Sequence, residues 1–243
     1  MKTKTLKTRK EKIFIVCSNL LLFLAVVCVG VISFVPQSKQ TQSVESKRLL
    51  AIYEGNRNSN KVSLMINVYW GTEYLNDILD VLKTNNVKTT FFVGGMWVAE
   101  NPDMLQKIYQ QGHEIANHGY SHKNHDKLSF EGNINEIQNC NKLVFSSLGI
   151  NTTLFAPPSG AYNNDTIKAA ESLGFKTIMW TRDTIDWRDK NTNLIISRAT
   201  TSLKGGDLIL MHPTKNTLEA LPTIISKIFE KGLTVAPVSQ TLA

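Results

Sequence analysis

Residues 117–125, NHGYSHKNH, hold three of the chain's five histidines. His118 and His122 stand four apart, so one helical turn or a tight loop can aim both imidazoles at one point. Imidazole is the commonest protein ligand for a metal near neutral pH. Zinc takes three or four ligands, however, and a catalytic zinc keeps one position for water. The stretch therefore supplies part of a coordination sphere. His125 would complete a three-histidine set only if one short segment delivered every ligand, and it reads instead as a solvated loop residue.

Such groups need elements to position them. From Lys61 onward, apolar strand-like runs at 62–68, 89–93, 114–117, 153–156, 176–180, 207–211 and 233–236 alternate with amphipathic helical patterns at 75–85, 102–111, 130–148, 163–173, 192–203 and 217–231. Gly112, Gly149, Gly174 and Gly232 stand just past four of those patterns, where a left-handed cap is expected. Alternating β and α units with near-continuous apolar strands predict a parallel sheet covered on both faces. The ~180 residues fall short of the ~250 of a full (β/α) barrel, so a distorted or incomplete barrel of about seven parallel strands is expected. In that architecture chemistry collects where strands end. Asn67, His118, His122, the PPSG at 157–160, the RDTIDW at 182–187 and His212 all follow strand ends.

The N-terminal part differs. Residues 1–12 carry six basic side chains (Lys2, Lys4, Lys7, Arg9, Lys10, Lys12) against Glu11, a local charge of +5 within a whole-chain net of +7. Residues 13–35 carry no charge and are long enough for ~30 Å of hydrocarbon as a helix. This reads as one uncleaved transmembrane signal anchor in the cell membrane, with the basic 1–12 flank cytoplasmic and the rest outside. Residues 36–60, polar and aperiodic apart from LLAIY, read as a stalk, and 61–243 as the domain. With only +2 left beyond the flank, the basic balance is a topology signal and gives no support to nucleic-acid binding. Cys17 and Cys28 fall inside the anchor, leaving Cys140 alone in a helical pattern, where it reads as a packed thiol and excludes an intrachain disulfide framework. His113, before its strand, reads as structural.

The strand exits, in this order, resemble the polysaccharide deacetylases, the NodB-homology domain of carbohydrate esterase family 4, over nearly the whole of 62–243. GHEIANHGYSH resembles the family's second motif, which makes His118 and His122 its two metal ligands. APPSGAYN, from Ala156, resembles the third, a groove wall that includes Pro157, Pro158 and Ser159. DTIDW resembles the fourth, which makes Asp183 the Asp that orients the catalytic apparatus and sets Asp186 and Trp187 along the groove. LILMH resembles the fifth, with Leu210 at the acetyl pocket and His212 as general acid. Tyr120 reads as groove wall or as packing, and Trp70, like Trp187, as a ring that stacks on sugar or that covers the barrel mouth. The implied partner is an amino-sugar polysaccharide, and the implied cofactor is a divalent metal, zinc or similar.

The departures are concentrated. The first motif reads Thr-Phe-Asp-Asp in the family, its Asp pair supplying the general base and third metal ligand. Here Asn67 and Val68 stand in those places, and Ala156 replaces the Arg that holds the base. In the family the metal polarises the acetamide and activates a water, the Asp takes its proton, and the His protonates the leaving amine. Valine coordinates nothing, and an asparagine amide is no base near neutral pH. Replacements for the missing groups would have to come from Asp183, Asp186, Glu73 or His125. The leading expectation is a membrane-anchored hydrolase of carbon–nitrogen, non-peptide bonds that removes N-acetyl groups from cell-wall amino-sugar polymer, peptidoglycan above all. The alternative is a catalytically degenerate barrel that binds glycan or scaffolds envelope assembly without turnover. An unrelated metal hydrolase built on the three histidines leaves the other matched stretches unexplained.

Overall fold

The computed structural model describes residues 8–27 in full, the backbone of 28–34, and residues 48–243. Its first helix, α1 (Arg9–Phe34), covers most of the expected anchor. Among the described residues no helix is long and apolar enough to cross a membrane. The described side chains of that segment stop at Val27, short of the ~20 residues that a span needs. The flank's first seven residues, Val35 and the stalk from 36 to 47 lie outside the described residues.

The unit Lys47–Ala243 is built on strands β1 (Lys61–Val68), β2 (Thr90–Val93), β3 (Glu114–Asn117), β4 (Leu154–Phe155), β5 (Lys176–Thr177), β6 (Arg182–Asp183), β7 (Leu208–Met211) and β8 (Thr234–Val235). The helices are α2 (Leu75–Thr84), α3 (Gly95–Glu100), α4 (Pro102–Gln110), α5 (Phe130–Leu148), α6 (Asn164–Ser172), α7 (Thr192–Thr200), α8 (Lys215–Glu230) and α9 (Val238–Leu242). The strands run parallel in the order β5-β4-β3-β2-β1-β7-β6, with β8 paired to the start of β1. This is a curled parallel half-barrel, as the alternation predicts. The predicted helices match closely; Gly149 closes α5 at φ 70 with its N–H on the Phe145 carbonyl.

Strand alternation sorts the side chains. Val62, Leu64, Ile66 and Val68 of β1 pack outward against the helices, in one apolar cluster with Phe91, Val93, Ile209 and Met211. Met65, Phe92, Ala116, Leu154, Ala156, Ile178 and Leu208 fill the interior, with Val238 of α9 beneath them. Two residues further along the same inner faces come Asn67, His118 and Leu210, so the period of two that fills the core also carries these three to the rim.

Two expectations need correction. Residues 48–60 belong to the domain and not to a stalk: Ile52 pairs in parallel with Ile178, its N–H on the Thr177 carbonyl at 2.8 Å. LLAIY thus adds a rung to the open edge of β5. Arg57 further ties this segment to buried Asp207, at 2.6 Å. The second correction is β6, a two-residue strand inside what reads as a loop; it is polar and too short for any period to show.

Candidate active site at the strand exits

His118 ends the β3 run with its N–H on the Val93 carbonyl at 2.9 Å. Asn117 then turns the chain, its side-chain oxygen accepting the Gly119 N–H at 2.8 Å where Gly119 sits at φ 74. Glu136, reaching over from α5, accepts from the N–H groups of Tyr120 and Ser121 at 3.0 and 2.8 Å and from the Ser121 hydroxyl at 2.7 Å. One buried carboxylate therefore fixes the loop that presents His122. Burial alone would raise the Glu136 pKa, but the bonds from Ser121 and the Lys123 ammonium outweigh it and hold the carboxyl below its ordinary value. The rings of His118 and His122 lie 5.2 Å apart at 70°. His118 Nδ1 is 2.8 Å from the Ala156 carbonyl, which can only accept, so Nε2 is left with a lone pair. Burial, reinforced by His122, pushes the His118 pKa well down and keeps this ring neutral.

Across the rim, His212 follows β7. Its backbone N–H and Nδ1 both bond Asp186, at 2.6 and 2.8 Å, and the Thr217 hydroxyl of α8 bonds the same carboxylate. Ile185, between the two aspartates, stands at φ 53. A β-branched residue there is strained, and beyond this turn Asp186 reaches back to His212 and Thr217. Asp183 accepts the Ile185 N–H at 2.8 Å and stays at the rim. Gly71 lets the β1 and β7 exits touch, because a Cβ there would lie 2.1 Å from the Pro213 carbonyl oxygen. Trp70 consequently stacks on His212, centroids 5.7 Å apart at 8°.

These groups enclose a cavity of about 370 Å³. Asn67, His118, His122, Ser159, Asp183, Trp187, Leu210 and His212 all line it, drawn together from five strand exits. Tyr69, Trp70 and Trp180 complete the lining. Several expected groove residues do not reach it. Asp186 is buried behind His212 and is the residue that orients it, a role the sequence pattern gave to Asp183. Pro157 and Pro158 are buried behind Ser159, and Tyr120 packs over Gly95. Ala156 contributes only its carbonyl. His125 is fully buried, not solvated: its Nδ1 is 2.7 Å from the Asn133 side-chain oxygen, away from the pocket. Cys140 is a packed thiol bonded to the Val93 carbonyl, and burial raises its pKa to about 12. Glu136, Tyr69 and Trp180 went unrecognised in the sequence. A glutamate inside an amphipathic helix carries no mark of its loop-holding role.

The residues present do not fit a catalytic divalent metal. His118 and His122 supply two nitrogens, but Val68, in the third-ligand place, packs into the outer apolar cluster and has no donor atom. Asn67 brings a neutral amide whose oxygen has no hydrogen-bond partner among the described residues. Among the described residues no three His, Cys, Asp or Glu side chains converge on one point.

Known proteins share this arrangement. Residues 54–178 match the family model described as polysaccharide deacetylase. The chain is 38% identical over 207 residues to the uncharacterised protein YlxY of Bacillus subtilis, covering 85% of this chain and 65% of that one. It is 34% identical over 156 residues to the peptidoglycan-N-acetylglucosamine deacetylase PgdA of Listeria monocytogenes, covering 64% of this chain and 33% of the relative. The chain thus spans two thirds or less of the length of these relatives. Among solved structures, a CE4 family pseudoenzyme from Bacillus anthracis superposes with a TM-score of 0.78 at 39% identity, over 80% of this chain and 69% of that one. A mutant of that pseudoenzyme, described as having restored enzymatic activity, superposes equally well at 37% identity. With its fold, its strand-exit motifs and more than half its length matched, this chain belongs to the polysaccharide deacetylase family.

Proposed function

We propose that the domain is a catalytically degenerate deacetylase barrel that binds amino-sugar polymer of the cell envelope, peptidoglycan above all, without hydrolysing it. One observation carries this reading: the residue after Asn67 is a valine packed into the outer core, where a ligand carboxylate is needed. The pocket itself is intact, and its aromatic walls suit sugar rings. Similarity to a CE4 pseudoenzyme and to peptidoglycan deacetylases supports both halves of the reading. The uncharged run at 13–35 behind a basic flank supports a membrane-anchored, extracytoplasmic placement.

The test is co-sedimentation of the full chain with insoluble peptidoglycan. Retention that falls at least tenfold in Trp187→Ala is expected. Absence of retention would sink the binding reading. A second reading, hydrolysis of the acetamide, is favoured by the preserved Asp186–His212 pair, which in a pure binder has no proton to deliver. Amine release from the same polymer distinguishes the two.

A further inference from the structure

We propose that the pocket selects the free amine of a de-N-acetylated amino sugar, holding its ammonium where the family's metal would sit. This rests on the glycan-binding reading and names the sugar form that the site takes. Among the described residues the lining contains one carboxylate, Asp183, and no lysine or arginine. Asn67, only 5% exposed, presents an amide oxygen without a partner among the described residues. His118 spends Nδ1 on the Ala156 carbonyl, which leaves Nε2 as an acceptor. Tyr69, Trp70, Trp180 and Trp187 surround these acceptors with ring faces.

The lining offers hydroxyl, amide and indole donors, but around its one carboxylate and its unpartnered acceptors the described residues place no lysine or arginine. An N-acetylated sugar brings a carbonyl oxygen that wants a donor or a Lewis acid, and one N–H. An ammonium brings three N–H donors and a positive charge. It satisfies the unpartnered amide oxygen and the imidazole lone pair, faces the Asp183 carboxylate, and gains from the aromatic walls. Removing a metal's carboxylate ligand while keeping the remaining acceptors converts a site for a divalent cation into one for a monovalent organic cation. The glycan form recognised is then the product of a deacetylase, so the enzyme class acting before it is an N-deacetylase of the same polymer.

The experiment titrates the full chain, in detergent, with a glucosamine tetramer and with the same tetramer after chemical N-acetylation, following tryptophan fluorescence. The amine form should bind about tenfold tighter, as expected for one desolvated cation–aromatic and carboxylate contact. Asp183→Asn, which still accepts the Ile185 N–H, should remove most of that preference; Glu131→Gln, on the exposed face of α5, should not. Equal binding of the two tetramers overturns the proposal, as does a preference that survives Asp183→Asn or that Glu131→Gln removes equally. If the N-acetylated tetramer alone binds, amine selection falls and the glycan-binding reading stands. If neither binds, the glycan-binding reading itself has failed.

Discussion

Asp186→Ala should loosen the β7 exit, although Asp186 itself does not line the pocket. The Asp186 side chain is fully buried and accepts from the His212 N–H, the His212 ring and the Thr217 hydroxyl. A buried donor left without a partner costs about 1–3 kcal/mol. The backbone N–H loses its acceptor outright, the Thr217 hydroxyl keeps only its bond with the Thr214 hydroxyl at 2.9 Å, and the His212 ring, 16% exposed, recovers part of its loss from water. Set against the released burial of the carboxylate, the net loss is roughly 3 kcal/mol. For a domain of this size each kcal/mol moves Tm by about 2–4 °C, so Tm should fall by about 6–12 °C. Asp186→Asn keeps one acceptor oxygen and the volume, and should lose about half as much. Urea denaturation followed by tryptophan fluorescence reads both variants, and Trp70, stacked on His212, should report the released ring. A loss below about 1 kcal/mol in Asp186→Ala would refute the view that this carboxylate organises the β7 exit.

Glu136→Gln should leave the fold intact but raise amide hydrogen exchange at Tyr120 and Ser121, because a neutral amide holds those N–H groups less tightly. Glycan affinity should fall with it through the freed His122, and unchanged exchange would rule out the loop-holding role. Asp207 gives a pH signature: burial alone would raise its pKa, but Arg182, the Lys204 N–H and Arg57 hold it below the ordinary value. Its contribution is therefore full above the ordinary aspartate range and lost as pH falls through the lower folded value. The Tm advantage of the parent over Asp207→Asn should be constant near neutrality and shrink below about pH 4. The Asn67→Asp, Val68→Asp double substitution should bind about one zinc per chain and gain about 2.7 kcal/mol at a hundredfold excess over its Kd, where the parent gains nothing. Equal zinc stabilisation of the parent would contradict the mismatch at Val68.

Much of this was legible because two periodicities carry it. The alternation of apolar strands with amphipathic helices gave the parallel half-barrel, and the period of two along β1 and β3 places Asn67 and His118 over Met65 and Ala116. What escaped is non-periodic or non-local. Segment 48–60 reads as polar linker because its anchoring contacts, Ile52 on Ile178 and Arg57 on Asp207, are each more than a hundred residues away in the chain. The choice between Asp183 and Asp186 turned on the φ of Ile185, which no spacing encodes. His125 reads as solvated because its partner, Asn133, is an ordinary residue of α5. The absent ligand is the reverse case: Val68 was legible as a wrong residue type, and the structure added that it packs outward.

The most direct measurement is amine release from an N-acetylglucosamine polymer, assayed with the full chain in excess zinc alongside binding to the same polymer. Binding with no release above the protein-free blank is the predicted result. Zinc-dependent release that disappears in His118→Ala and in His212→Ala would contradict it, and would show that two histidines without their carboxylate still suffice for hydrolysis.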